Sequence, residues 1–252
     1  MDDDLEGMCF GKGTVRENLA RAVAGGKVIA GADGALAFPL RTSSDDFLFI
    51  RQLSRLRCGF HSGFVFDIAY GRAAVPHGCR DCYKIKIVPA TLRGLVALRD
   101  LLEAEPYHAK CGIDLGNPFS QDIYAGYVFF HGLEAARAAW PGLRRAVDAQ
   151  SNLGSAVPVS IKRGCSSFEV ACGRSDGWAF RDGMEALERH LAGRFQEKQS
   201  PAADYRQRRM VAMVHWLRIA FSIKDETYRD FTGGKPLYRS SLSYPPQDPA
   251  GS

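Results

Sequence analysis

The chain has 252 residues, 46% of them hydrophobic and 24% charged, with a formal net charge of +5 and a pI near 8.8. That balance excludes a disordered chain and a densely basic nucleic-acid binder, while the mild positive excess favours anionic partners. No run approaches the roughly 18 apolar residues of a membrane span. The opening MDDDLEG is acidic where a secretory leader is basic and then apolar. The expectation is a cytoplasmic protein with no membrane partner, whose seven cysteines stay reduced and serve metal or redox chemistry rather than disulfides.

In chain order, TVRENLARAVAGG (14–26) predicts a helix, with Thr14 as N-cap, Glu17 three residues on and glycines closing it. KVIAG and GALAFPL read as short strands about a glycine turn. The stretch GMCFGKGT (7–14) is similar to a phosphate-binding loop but fails its requirements. Gly7 to Gly11 is one residue short, Gly13 follows Lys12 where Ser or Thr is needed, and no strand precedes. DDFLFIRQLSRL (45–56) predicts an apolar helix, and CGFHSGFVFDIAYGR (58–72), punctuated by glycines and aromatics, a strand with turns.

Residues 77–178 carry the clearest pattern. YKIKIVP (83–89) alternates and stops at a proline, so it predicts a strand. TLRGLVALRDLLEAE (91–105) places Leu92, Leu95, Leu98 and Leu102 at helical spacing. YHAKCGIDL (107–115) and DIYAGYVFFHG (122–132) predict a second and a third strand, LEAARAAWPGLRRAVDAQ (133–150) a helix kinked at Pro141, and VPVSIKRG (157–164) a fourth strand. The order β-α-β-β-α-β predicts an α+β protein with a ferredoxin-like core, on which residues 1–76 pack as an α/β extension. CSSFEVACGRSDGW (165–178) reads as a loop. In the C-terminal helical region, 179–231, GMEALERHLAGRF (183–195) and YRQRRMVAMVHWLRIAFSI (205–223) read as helices, the second with Met210, Met213, Val214, Leu217 and Phe221 on one stripe. Residues 232–252, rich in Pro, Gly and Ser, read as an extended or disordered tail.

The expected spatial order of the four strands is 4-1-3-2, with strands one and three taken as parallel and two and four opposed. The start of strand one, the end of strand four and the end of strand two then share one edge of the sheet. Cys79 and Cys82, in HGCRDCYKIKI, stand at the head of strand one; Cys165 and Cys172 follow strand four; Cys111 lies in the second half of strand two. Cys79, Cys82, Cys165 and Cys172 are therefore candidate metal ligands, with Cys111 in reserve.

The spacing bears on what they hold. A structural zinc site uses two short CxxC knuckles, and the second pair here is spaced by six residues. An iron–sulfur cluster takes one thiolate per iron and suits cysteines from separate segments, so a 4Fe-4S cluster is the expected cofactor, with zinc, a thiol redox pair and unligated buried thiols as alternatives. The CxxC opens a strand rather than a helix, which argues against thioredoxin-like chemistry. Lys84, Lys86, Lys162 and Arg163 lie beside the thiols, where they would offset a cluster's negative charge; Lys84, Lys162 and Arg163 are the candidate binding residues for it or for a small anionic substrate.

GYVFFHGLEAARAA, in the third strand and following helix, resembles the corresponding part of the RNA-recognition motif family. Gly126, Tyr127, Val128 and Phe130 match the second half of its signature, while Ile123, Tyr124 and Ala125 depart from the first. The resemblance implies nucleic acid as an alternative partner, with sheet aromatics, Tyr83 among them, stacking on RNA bases. The competing reading has these aromatics facing a core. His77 beside the CxxC, His61 near Cys58, and the carboxylates Asp114, Glu169 and Asp176 complete the candidate groups, and RQRR (206–209) is a candidate contact for an anion or partner. The expected role is electron transfer or a redox or sulfur-handling reaction, involving a redox partner protein or a small anion; whether the chain is an enzyme stays open.

Overall fold

The structure, a computed structural model, describes residues 5–38, 46–51, 57–115, 120–197 and 204–237. Strands β1 (Cys9–Phe10) and β2 (Gly13–Thr14) form a short antiparallel hairpin, and α1 (Val15–Ala24) follows at once. Its start is the expected capping box: the Thr14 side chain accepts from the Glu17 amide, and the Glu17 carboxylate accepts from the Thr14 amide. Strands β3 (Ile29–Ala30) and β4 (Leu36–Phe38) pair antiparallel.

Three readings of the next segments are corrected. Residues 47–50 are not helical but form β5 (Phe47–Ile50), with Leu48 and Ile50 only 2% exposed and Phe47 and Phe49 on the other side. A short apolar run does not distinguish helix from strand by period, and here pairing with a neighbouring strand decides. The expected helix's next five residues, 52–56, lie outside the described residues. The expected strand and turns at 58–72 are a π-helix (Gly59–Ala69) that buries Phe60, Phe64, Val65, Phe66 and Ala69. Its apolar residues ring the whole circumference, which leaves no period to read. Residues 165–178 contain a short helix as well as loop.

The main sheet follows: β6 (Cys82–Ile87), α2 (Leu92–Ala104), β7 (Ala109–Ile113), β8 (Tyr124–His131), α3 (Leu133–Ala149) and β9 (Val159–Arg163). Strand order is β5-β7-β8-β6-β9, every neighbouring pair antiparallel. The expected order of β9, β6, β8 and β7 is present, but β6 and β8, taken as parallel, run in opposite directions. A helical crossover returns the chain in the direction it left, so β6 and β7 are the parallel pair, with β8 between them. The consequence for Cys111 is direct. It and Ile87 both pair with Gly126, so Cys111 lies level with the far end of β6, five residues from Cys82, or about 16 Å along the strand.

After β9 come α4 (Ser166–Cys172), α5 (Met184–Arg194), β10 (Phe195–Glu197) and α6 (Tyr205–Ser222). Two principal cores result. The first lies between α2, α3, α6 and one sheet face, with Ile85, Leu95, Leu98, Val128 and Trp216 at or near zero exposure. The stripe expected on α6 is met in part: Met213, Leu217 and Phe221 pack against this core beside the buried Ala212, Trp216 and Ala220, while Met210 and Val214 are exposed. The second core joins α1, the π-helix and α5, with Val15, Phe64, Met184 and Leu187 inside. Helix α5 is therefore packed with the N-terminal extension, an association strengthened by β10 pairing parallel to β4. No helix among the described residues is long and apolar enough to cross a membrane.

Candidate functional site

The edge where β6 begins and β9 ends gathers cysteines from three separate segments. The β6–β9 ladder closes with the Gly164 amide donating to the Cys82 carbonyl at 2.8 Å. Gly164 has φ +59°, and a Cβ there would lie 2.6 Å from the Trp178 ring. Only glycine makes this turn cheaply, and the turn sets Cys165 at the head of α4, one strand over from Cys82. Cys79 sits in a 3₁₀ turn (His77–Cys79) packed with Phe66, Val75, Phe168 and Trp178. Cys58, immediately before the π-helix, is coupled by charge to Cys165, Cys79 and Cys82.

Lys84 is the charge these thiols share. Strand alternation puts it on the face of Cys82; it is 6% exposed, and its ammonium donates to the Cys165 sulfur at 3.0 Å. Burial alone would push the Cys165 thiol up, but Lys84, then Lys110 and Lys162, more than offset it and hold the thiol below its ordinary value. Burial would lower Lys84, yet Cys165, Cys82 and Cys58 raise it above the ordinary lysine range. Cys79 is pushed well up by burial and then by the charges of Cys165, Cys82 and Cys58. Burial, with Cys165 and Cys58, takes Cys82 up to about 11, and burial with Cys165 raises Cys58. Of the four thiols, only Cys165, in contact with the Lys84 ammonium, is held below its ordinary value, while Cys58, Cys79 and Cys82 are raised.

A buried carboxylate fixes the CxxC turn. Glu188 on α5 accepts from the His77 amide at 2.5 Å, the Gly78 amide at 2.8 Å and the Tyr70 hydroxyl at 2.8 Å, with His61 Nδ1 3.6 Å away. Burial would raise its carboxyl; these donors, His61 included, outweigh burial and hold it below its ordinary value. Gly78 packs so closely that a Cβ would lie 2.2 Å from the His61 ring. On the other side Arg163 donates to the carbonyls of Arg80 and Ser175 and lies over Trp178.

The expected site residues divide accordingly. Cys79, Cys82 and Cys165 come together with Lys84. Cys111 does not join them: it is fully buried on the helix-covered face, among core residues. Cys172 packs against the same aromatic cluster, but its sulfur approaches the Arg72 carbonyl at 3.8 Å, and burial alone raises it, with no thiol acting on it. Arg163 braces two backbone segments instead of offering a free cation. Lys162 donates to Ser166 at 2.7 Å, with Glu169 at 3.9 Å. His77 contacts Arg80, and His61 faces Glu188 rather than serving Cys58. Asp114 accepts from Tyr127, and Asp176 pairs with Arg174 on the surface. In RQRR, Arg209 is held by Glu103 and Asp100 of α2.

The aromatics of the RNA-recognition resemblance do not form an open platform. Phe130 and Val128 lie in the main core, with Tyr83 against it, and Tyr127 and Phe129 on the opposite face are each 7% exposed. Among the described residues no group of three or more His, Cys, Asp or Glu is arranged to hold a metal ion. Zinc, with Zn–S bonds of about 2.3 Å, draws its sulfurs within about 4 Å of each other, and that tetrahedron is not assembled here. Irons at separate corners of a cluster accept thiolates set wider apart. Sequence reasoning set Cys58 with His61 rather than with these thiols, and it missed Glu188 and Lys110, which carry no local signature. Comparisons with family models, with curated proteins and with solved structures find no match for this chain.

Proposed function

We propose that this is a redox protein with a ferredoxin-like core in which Cys58, Cys79, Cys82 and Cys165 hold an iron–sulfur cluster. One observation carries the reading: Cys79, Cys82 and Cys165, from separate parts of the chain, pack in one cluster beside the buried ammonium of Lys84, which donates to the Cys165 sulfur at 3.0 Å, and Cys58 is coupled to them by charge. A chance set of buried cysteines has no need of a buried cation. When bound, the cluster supplies one-electron transfer. Lys84 would offset its negative charge, Glu188 would hold the Cys79 and Cys82 turn in place, and Phe66, Phe168 and Trp178 would keep water from its sulfurs.

The test is anaerobic purification followed by iron and sulfide analysis of single serine variants. Cys58→Ser, Cys79→Ser, Cys82→Ser and Cys165→Ser are each expected to lose iron, whereas Cys9→Ser, Cys111→Ser and Cys172→Ser keep it. Equal iron in all seven, or none in the parent protein after reconstitution, would overturn the assignment. One contact favours a second reading. The Lys84–Cys165 pair is what a reactive thiolate requires. A metal-free protein whose Cys165 alone is rapidly alkylated at neutral pH supports thiol chemistry instead.

A further inference from the structure

The helices cover one face of the main sheet; the other carries lysines. Register places Lys110 beside Tyr127, Tyr127 beside Lys86, Phe129 beside Lys84, and Lys84 beside Lys162, all on the face opposite the helices. Four ammonium groups on so small an area repel one another, and most have found a counter-charge or acceptor. Lys86 pairs with Asp122 at 2.5 Å and has Asp114 at 3.9 Å, Lys84 holds Cys165, and Lys162 holds Ser166 with Glu169 nearby.

Lys110 differs. Among the described residues no carboxylate stands within ion-pairing distance of it. Its ammonium lies 3.8 Å from the Phe47 ring centre, 5.2 Å from that of Tyr127 and 5.7 Å from that of Phe49. Burial, then the neighbouring charge of Lys84, bring it down to about 8. Ring faces return only about 2 kcal/mol to a desolvated cation, and Lys110 is half-buried. An anion would supply what the rings do not. The side chain is a point donor rather than an arginine fork, which suits a singly charged carboxylate better than bidentate capture of a phosphate.

We propose that Lys110, with Tyr127 and then Lys86 beside it across the sheet, anchors a small unsaturated carboxylate on this face, its flat body against Phe47. That a small carboxylate binds here does not depend on the proposed function.

Calorimetric titration of full-length protein with sodium benzoate, its neutral counterpart benzamide and inorganic phosphate tests the proposal, in parallel with iron analysis of the same preparation. Benzoate is expected to bind the parent protein and Lys12→Met alike and to bind Lys110→Met at least about tenfold more weakly, the loss of one charge-assisted hydrogen bond. Benzamide and phosphate are expected to bind far less. Absent benzoate binding, equal binding by Lys110→Met, or equal binding of benzamide or phosphate overturns the proposal. If Lys110→Met does not fold, protection of Lys110 from acetic anhydride by benzoate, mapped by mass spectrometry on the parent protein, decides instead, and lack of protection refutes it. Benzoate binding without iron defeats the cluster reading alone, and iron without benzoate binding defeats this one alone.

Discussion

Replacing Glu188 by alanine removes the acceptor that three donors share. The His77 and Gly78 amides and the Tyr70 hydroxyl are buried or half-buried, and with alanine in place no described side chain takes over their bonds. Each hydrogen bond to a charged group contributes about 1.5–3 kcal/mol. The gross sum is reduced because the carboxylate's own desolvation disappears with it, leaving an expected loss of about 3–5 kcal/mol, the range for breaking a buried charged pair. Glu188→Gln keeps one acceptor oxygen and should lose about half as much. Urea unfolding of the two variants and the parent reads this directly, and iron content after anaerobic purification reads the effect on the Cys79–Cys82 turn. A Glu188→Ala protein within about 0.5 kcal/mol of the parent, with full iron, would refute the claim that this carboxylate holds the corner. The pH dependence has a definite sign. Because the folded carboxyl sits below its ordinary value of 4.5, its contribution is complete above that value and disappears as the pH falls through the lower, folded value. The acid limb of the parent's stability profile should therefore be shallower in Glu188→Gln.

Gly112→Ala and Gly142→Ala should move in opposite directions. A Cβ at 112 would lie 1.8 Å from the Asp46 carbonyl oxygen, forcing β5 off the sheet at about 3 kcal/mol or more, whereas at 142, on α3, it meets nothing within 4 Å and should gain about 0.5–1 kcal/mol. Lys84→Met removes the cation that lowers Cys165, so in metal-free protein the pH profile of Cys165 alkylation should shift upward; an unchanged profile would discount the pair. Asp225 accepts from the Leu92 amide at 2.6 Å, at the start of α2, and from the Tyr124 hydroxyl at 2.7 Å. Asp225→Ala should therefore cost about 1–2 kcal/mol, measured by thermal unfolding.

The strand and helix order of residues 82–163 was legible because each segment carries a clean period. Lys84 and Lys86 alternate with Ile85 and Ile87, and Leu92, Leu95, Leu98 and Leu102 recur at helical spacing. Thr14 and Glu17 announced their helix in the same local way. Strand direction required geometry instead, and the error there carried Cys111 to the wrong end of the sheet. The π-helix and α4 stayed hidden for different reasons. The first is apolar all round; the second is seven residues long and begins with two serines, which favour turns. Cys82 with Cys165 was readable from adjacency of the first and last strands of the core. Cys58 was not, since only tertiary packing brings its segment there. Glu188 looked like any charged residue of an amphipathic helix; its burial comes from amides 110 and 111 residues away.

The second core has a bearing on how the protein is made. It binds the π-helix, and so Cys58, to α5, which carries Glu188, and α5 leaves the ribosome after every cysteine has emerged. The four sulfurs therefore converge only once nearly two hundred residues have been synthesised and both halves have docked. On the cluster reading, the group would have to be delivered to a finished scaffold, and C-terminal truncation ahead of α5 would forfeit loading even with all seven cysteines present.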